Sequence, residues 1–155
     1  MIVTIAVDDA GWDAVPALEE LTRRAVDATA TGAGIAGKNL ETAFLFTGDD
    51  AVAALNAKWR GRAHATNVLS FPAKNVKTPA REARPLGDVV LASGVVTREA
   101  AAQGKTLPHH ATHLIVHGLL HLLGHDHETE IEAATMENLE TEILKGLGVP
   151  DPYDR

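Results

Sequence analysis

The chain has 155 residues, 45% of them apolar, a formal net charge of -7 and no cysteine. That length fits one domain with a real core. The missing cysteine excludes a disulfide framework and a thiolate metal site, so any bound metal must be held by histidine and carboxylate. No run approaches the length of a membrane span, and the opening apolar stretch meets Asp8 and Asp9 before it reaches signal-peptide length. We therefore expect a soluble, cytoplasmic protein that does not engage a membrane.

Residues 1–7 alternate β-branched and apolar types and predict a first strand. A turn at Gly11 and Asp13 leads into a helix over 14–30, with Val15, Leu18, Leu21, Ala25 and Val26 on one stripe. The glycine-rich stretch 31–37 is loop. A second strand follows over 40–47, then a helix from Asp49, placed to cap it, to Trp59, closed by Gly61. Residues 67–71 predict a third strand stopped by Pro72. Residues 73–86 carry Pro79, Pro85 and several cations and read as a mobile loop. A fourth strand over 87–92 pairs antiparallel with the third.

Ser93 is placed to cap a helix to about Gln103, and Thr106 with Pro108 opens the next. Thr129 and Glu132 form a capping-box pattern for a last helix striped by Ile131, Ala134 or Thr135, Leu139 and Ile143. Strands followed by helices, with no repeat and no internal boundary, predict one α+β (α/β) domain over 1–155. It should hold a small mixed four-stranded sheet and about five helices.

Eight histidines occur in the chain, and all but His64 fall between 109 and 127. His117 and His121 stand four apart, roughly 40° of rotation on a helix, so both imidazoles leave one face a turn apart. Gly124 ends that helix and lets the chain turn to bring His127 back to them. Three neutral imidazoles facing one point suit a single divalent ion such as zinc, with a fourth position left for water whose pKa the ion lowers. His110 and His113 share the helical face and read as pocket-lining, supporting or buried groups. His109 and His125 read as surface or packing residues.

Asp126 has three readings: a fourth ligand, a carboxylate that fixes the tautomer of a ligand histidine, or a proton acceptor at the metal. The order His-x3-His-x5-His is the zinc spacing of metzincin proteases, but the position of their general base is Gly118. A peptidase or amidase reading is therefore poor.

The segment His117-Gly118-Leu119-Leu120-His121-Leu122-Leu123-Gly124-His125-Asp126-His127 resembles the signature of the YbeY family of bacterial metal-dependent endoribonucleases. Its departure is His125, where an aromatic residue is usual. Leu55-Asn56-Ala57-Lys58-Trp59-Arg60-Gly61 followed by Thr66-Asn67-Val68-Leu69-Ser70-Phe71-Pro72 resembles the family's second signature. Gly87-Asp88 matches its Gly-Asp strand opening.

The resemblance implies a zincin-like metal helix, a functional arginine at Arg60, and cleavage of single-stranded RNA in ribosomal RNA maturation. The site implied is the 3′ end of the small-subunit RNA, together with a part in ribosome quality control. The partners implied are ribosomal RNA and the ribosome or its small subunit, not DNA. Asn67 and Ser70 either shape the pocket or satisfy backbone groups. Asp88 is catalytic or a turn residue, and Met136 reads as core.

Charge is polarised along the chain. Between 58 and 87 lie seven bases and one acid, a stretch suited to guiding an RNA backbone, whereas 128–155 holds eight acids and two bases. Two other classes stay open beside the nuclease: a metallopeptidase-like hydrolase, and a non-catalytic ribosome-assembly factor whose metal only staples the fold.

Overall fold

The structure, a computed structural model, describes residues 1–74, 77–79 and 81–153. Four strands, β1 (Ile2–Val7), β2 (Leu40–Thr47), β3 (Val68–Pro72) and β4 (Arg84–Ala92), form one sheet in the order β1-β2-β4-β3. β1, β2 and β4 run parallel, and β3 is antiparallel to β4 at the edge. Parallel neighbours need a crossover. Helix α1 (Leu18–Gly32) supplies it between β1 and β2, while α2 (Asp49–Arg60) and β3 lie between β2 and β4. Helices α3 (Ser93–Ala102), α4 (Leu107–Leu122) and α5 (Glu130–Gly146) follow. The architecture is the expected single α+β unit with a mixed sheet.

The period-2 alternation of β4 sorts its side chains between two cores. Val89 and Leu91 pack with Phe44 and Phe46 against α1 and α4, whereas Val90 and Ala92 face Val52 of α2 on the other side. α4 is the most deeply set helix, with Ala111, Ile115, Val116, Leu119 and Leu120 all inaccessible to solvent. Thr106 starts it by accepting a hydrogen bond from the His109 N–H, as its sequence predicts.

Several boundaries differ from those expected. α1 begins at Leu18 rather than residue 14, because a 3-10 turn occupies Ala10–Ala14 and Ala17 takes a left-handed φ of 50°. The same helix runs on to Gly32. β4 begins at Arg84, inside the stretch read as loop. Pro85 is tolerated there because the β2–β4 register shifts at Glu41/Thr42 and β3 pairs only from Gly87 onward. Within that stretch, positions 75, 76 and 80 lie outside the described residues.

Asp49 is not the cap of α2, which is Gly48. Its carboxylate instead accepts the Val95 N–H at the start of α3 and pairs with Arg98. Ser93 is likewise inside α3, and its hydroxyl donates to Asp9. In α5, Ile131 is 81% exposed, so the buried stripe is rotated to Met136, Glu140, Ile143 and Leu144.

Two glycines set how closely the elements approach. A Cβ on Gly118 would stand 2.7 Å from Val89 Cγ1 and 3.3 Å from Val68 Cγ2, so α4 rests directly on the β3–β4 pair. At Gly87, φ is +132° and a Cβ would come 2.2 Å from the Phe71 carbonyl oxygen. Gly118→Ala should cost about 1–3 kcal/mol through overpacking. Gly87→Ala adds backbone strain and meets an oxygen that cannot move aside, so it should cost about 3 kcal/mol or more. Urea unfolding of both variants beside the wild type measures the order.

Candidate metal centre

α4 carries His117 and His121 on one face, and their Nε2 atoms lie 3.1 Å apart. The helix stops at Leu122, and Gly124 takes a φ of +97°. The resulting turn is closed by the Gly124 N–H on the His121 carbonyl and the His125 N–H on the Leu120 carbonyl. It returns His127 to the helix, with its ring centroid 5.8 Å from that of His117 and 5.1 Å from that of His121. One ring nitrogen from each of His117, His121 and His127 lies within 4.8 Å of the others, so these three side chains could hold a metal ion.

The donor set fits such an ion. Tetrahedral zinc with Zn–N of about 2.0–2.1 Å places its ligand nitrogens roughly 3.3 Å apart, close to the separation already present between the two helix histidines. His127 is exposed and the other two are half-buried, so one side of the cluster opens to solvent. Burial pushes the pKa of His121 below its usual value, and the neighbouring imidazoles of His117 and His127 push the same way. An imidazole kept neutral is the form that ligates.

Beneath His117 lies a carboxylate that the periodicity of α5 conceals. Glu140 is fully buried and accepts from His117 Nδ1 at 2.5 Å, from His113 Nε2 at 2.9 Å and from the Tyr153 hydroxyl. Burial pushes its pKa up, but the hydrogen bonds from His113, His117 and Tyr153 outweigh that and hold it down at about 2. A carboxylate ionised at neutral pH requires a proton on Nδ1 of His117, which leaves the Nε2 lone pair turned toward His121.

His113, His117 and Glu140 also form a group close enough to hold a metal. Their nitrogen–oxygen contacts are those of hydrogen bonds, and Glu140 has no solvent exposure. We assign them as support for the three-histidine cluster.

The remaining candidates separate clearly. His110 is buried and bonded to Glu99, which also accepts from Asn67. Burial lowers its pKa, against the opposing pull of Glu99. His113 is taken by Glu140. Asp126 accepts the backbone N–H of His127 at 2.7 Å and so braces the turn, while fixing the tautomer of His117 falls to Glu140. Arg60, at the end of α2, donates from Nη2 to the Ser70 carbonyl at 2.9 Å and lies over the Phe71 ring at 5.7 Å. The Ser70 hydroxyl donates to the Gly118 carbonyl, next to His117. Arg60 and the histidine helix thus grip the same edge-strand residue. Asp88 is exposed on β4 opposite Phe71, and Met136 is core.

Glu140 and Tyr153 are the residues that sequence reading missed. The available signal was a glutamate four residues after Met136 and three before Ile143, on the face the helix buries, in a chain with several histidines needing a carboxylate partner.

Fold and site together define a small α+β protein whose central helix, with the turn that follows it, brings three histidines close enough to hold a single metal ion. The chain belongs to the YbeY family, whose model, described as Endoribonuclease YbeY, matches residues 7–148. Proteins named Endoribonuclease YbeY are similar to it over nearly their whole length. That of Allorhizobium ampelinum is 47% identical, with 97% of this chain and 93% of that one covered. That of Chelativorans sp. is 48% identical, with 97% and 92% covered. That of Dinoroseobacter shibae is 46% identical, with 98% and 90% covered. The solution structure of a Thermotoga maritima protein has the same fold, with a TM-score of 0.58 at 20% identity over 99% of this chain and 100% of that one.

Glu140→Gln keeps the shape but loses the charge that orders His117. It should bind zinc roughly 10–100-fold more weakly, as measured by competition with a chromophoric chelator, and the far-ultraviolet circular dichroism should stay unchanged.

Proposed function

We propose that this chain is an endoribonuclease that hydrolyses phosphodiesters of single-stranded RNA, using one divalent ion such as zinc held by His117, His121 and His127. The observation that carries the proposal is the convergence of these three imidazoles in a chain whose relatives are named endoribonucleases. When bound, the ion would supply a Lewis acid that polarises a phosphoryl oxygen and makes water a stronger nucleophile near neutral pH.

The chain's own residues supply the rest. Glu140 holds the proton on His117 Nδ1 and fixes the ring's direction. Arg60 spends Nη2 on Ser70 and keeps its other donors for the charge that builds on the phosphate oxygens, a geometry the guanidinium fork matches. Asp126 braces His127 by accepting its backbone N–H on Oδ1, and its carboxylate would take up the proton released by the attacking water. By family resemblance the substrate is ribosomal RNA at the 3′ end of the small-subunit species. The setting is ribosome maturation and quality control in the cytoplasm. No helix among the described residues is long and apolar enough to cross a membrane.

The peptidase reading loses its footing in the packing of α4. A glutamate at position 118 would have to enter the space filled by Val89, Val68 and Ser70, so the surface that carries a metzincin's base is here a contact with the sheet. A purely structural metal is less well supported by a cluster that opens to solvent on the His127 side.

Metal-loaded protein should cut a labelled single-stranded RNA, and chelator-treated protein should not. His121→Ala should lower cleavage at least about 100-fold with the thermal transition retained, and Arg60→Ala should lower kcat about 10²–10³-fold. Cleavage of a peptide library with RNA left intact would overturn the assignment.

A further inference from the structure

A second feature lies on the far side of the turn that delivers His127. A cavity of about 380 Å³ is bounded by Lys38, Lys74, Arg84 and His125, with Leu86 and Ile35 in its apolar floor. No acidic side chain is among its described lining residues. In a chain of net charge -7, that is an uncommon concentration of one sign.

The four basic residues come from separate parts of the sequence, and backbone hydrogen bonds bring them together. The Arg84 N–H donates to the Asn39 carbonyl, which fixes the Lys38 loop to the start of β4. The Ala73 N–H donates to the Leu86 carbonyl and places Lys74 beside the same strand. His125 is set by its N–H on the Leu120 carbonyl, within the turn between His121 and His127.

The simplest alternative is that these cations neutralise the negative ends of α1 and α4, which both point this way. Their last carbonyls already have donors, however. Leu123, Gly124 and His125 N–H groups close α4, and Ala33, Gly34 and Ile35 N–H groups close α1. Among the described residues, Lys38, Lys74 and Arg84 make no ion pair. Their charge is therefore uncommitted, and the site is complementary to an anion.

We infer that this cavity binds a backbone phosphate of the RNA strand, one that flanks the phosphate being cleaved. The inference rests on the ribonuclease reading and gives the substrate a second anchor. Arg60 is bonded to Ser70 of β3, the strand that packs on the histidine helix, and the Lys38–Lys74–Arg84 cavity lies at that helix's C-terminal turn, so the two cationic sites offer separate anchor points to one strand. Position 125, where the family signature usually has an aromatic residue, would here add an imidazole donor to the phosphate site.

The test uses zinc-loaded protein and a nuclease-resistant probe, a fluorescent 2′-O-methyl phosphorothioate oligouridine of about ten nucleotides. Binding is followed by anisotropy across a range of salt concentrations. Lys38→Gln/Arg84→Gln should weaken binding roughly tenfold near 0.1 M salt and flatten the slope of log K against log salt by about 0.7, the single-strand value for one lost phosphate contact. Arg24→Gln/Lys145→Gln, with the same change in net charge elsewhere, should leave both unchanged. Zinc affinity and the unfolding midpoint of both double variants should match the wild type. Cleavage of a uridine dinucleotide, which has no second phosphate to offer, should be unaffected, whereas cleavage of a decamer should show a raised KM.

Equal losses in the two double variants would overturn the inference in favour of a diffuse field. Wild-type affinity and slope in Lys38→Gln/Arg84→Gln would also overturn it and leave the cluster to an acidic protein partner. If the wild type neither binds nor cuts RNA, the ribonuclease reading itself fails.

Discussion

A buried carboxylate is costly unless every lone pair facing the protein meets a donor, and Glu140 satisfies that condition with three. Those donors come from two turns of α4 and from the chain's C-terminal end. One side chain of α5 therefore does three jobs: it docks α5 on α4, anchors the tail, and orients His117. Removing the side chain's oxygens altogether would leave two partly buried imidazoles without their acceptor and Tyr153 without its own. The histidine cluster is thus an outer layer on a polar core, and its geometry is inherited from a carboxylate with no solvent exposure.

The sheet supplies the complementary constraint. Because position 118 has no side chain, α4 approaches β3 and β4 closely enough for the Ser70 hydroxyl to reach the Gly118 carbonyl. Ser70 is also where Arg60 attaches, through its backbone oxygen. The separation of the arginine from the histidines is therefore set by a single edge-strand residue gripped from two directions. The same glycine that loses a peptidase its base gives the molecule its tight junction between helix and sheet.

Much of this could be read from the residues. His117, His121, Gly124 and His127 declare their arrangement because helical spacing and a glycine stop are local properties. Thr106 and Thr129 act as caps for the same reason. The four strands and their mixed pairing followed from alternation and punctuation. Long-range partners were not legible. Asp49 looks like the cap of the helix it begins, yet it serves the start of α3, which folding brings alongside. Pro85 suggests a loop until the bulge in β4, where Leu86 is the extra residue between the pairs Glu41–Pro85 and Thr42–Gly87, shows how a strand absorbs it. Ile131 invites a stripe that would expose Glu140, and only the docked position of α5 shows that an isoleucine lies in solvent while a glutamate is buried. Asp126 sits beside His127 in sequence and reads as the obvious partner for a ring, but the carboxylate that meets His117 is fourteen positions further on.

The C-terminal segment contains the only tyrosine in the chain, and that tyrosine closes the polar core. Burial and the adjacent Glu140 carboxylate push its ionisation upward from the ordinary phenol value. Because no other phenol competes with it, phenolate absorbance at alkaline pH reports one contact alone. The protein thus has a built-in optical gauge of whether Tyr153 is seated on Glu140, readable in unlabelled material and without following turnover.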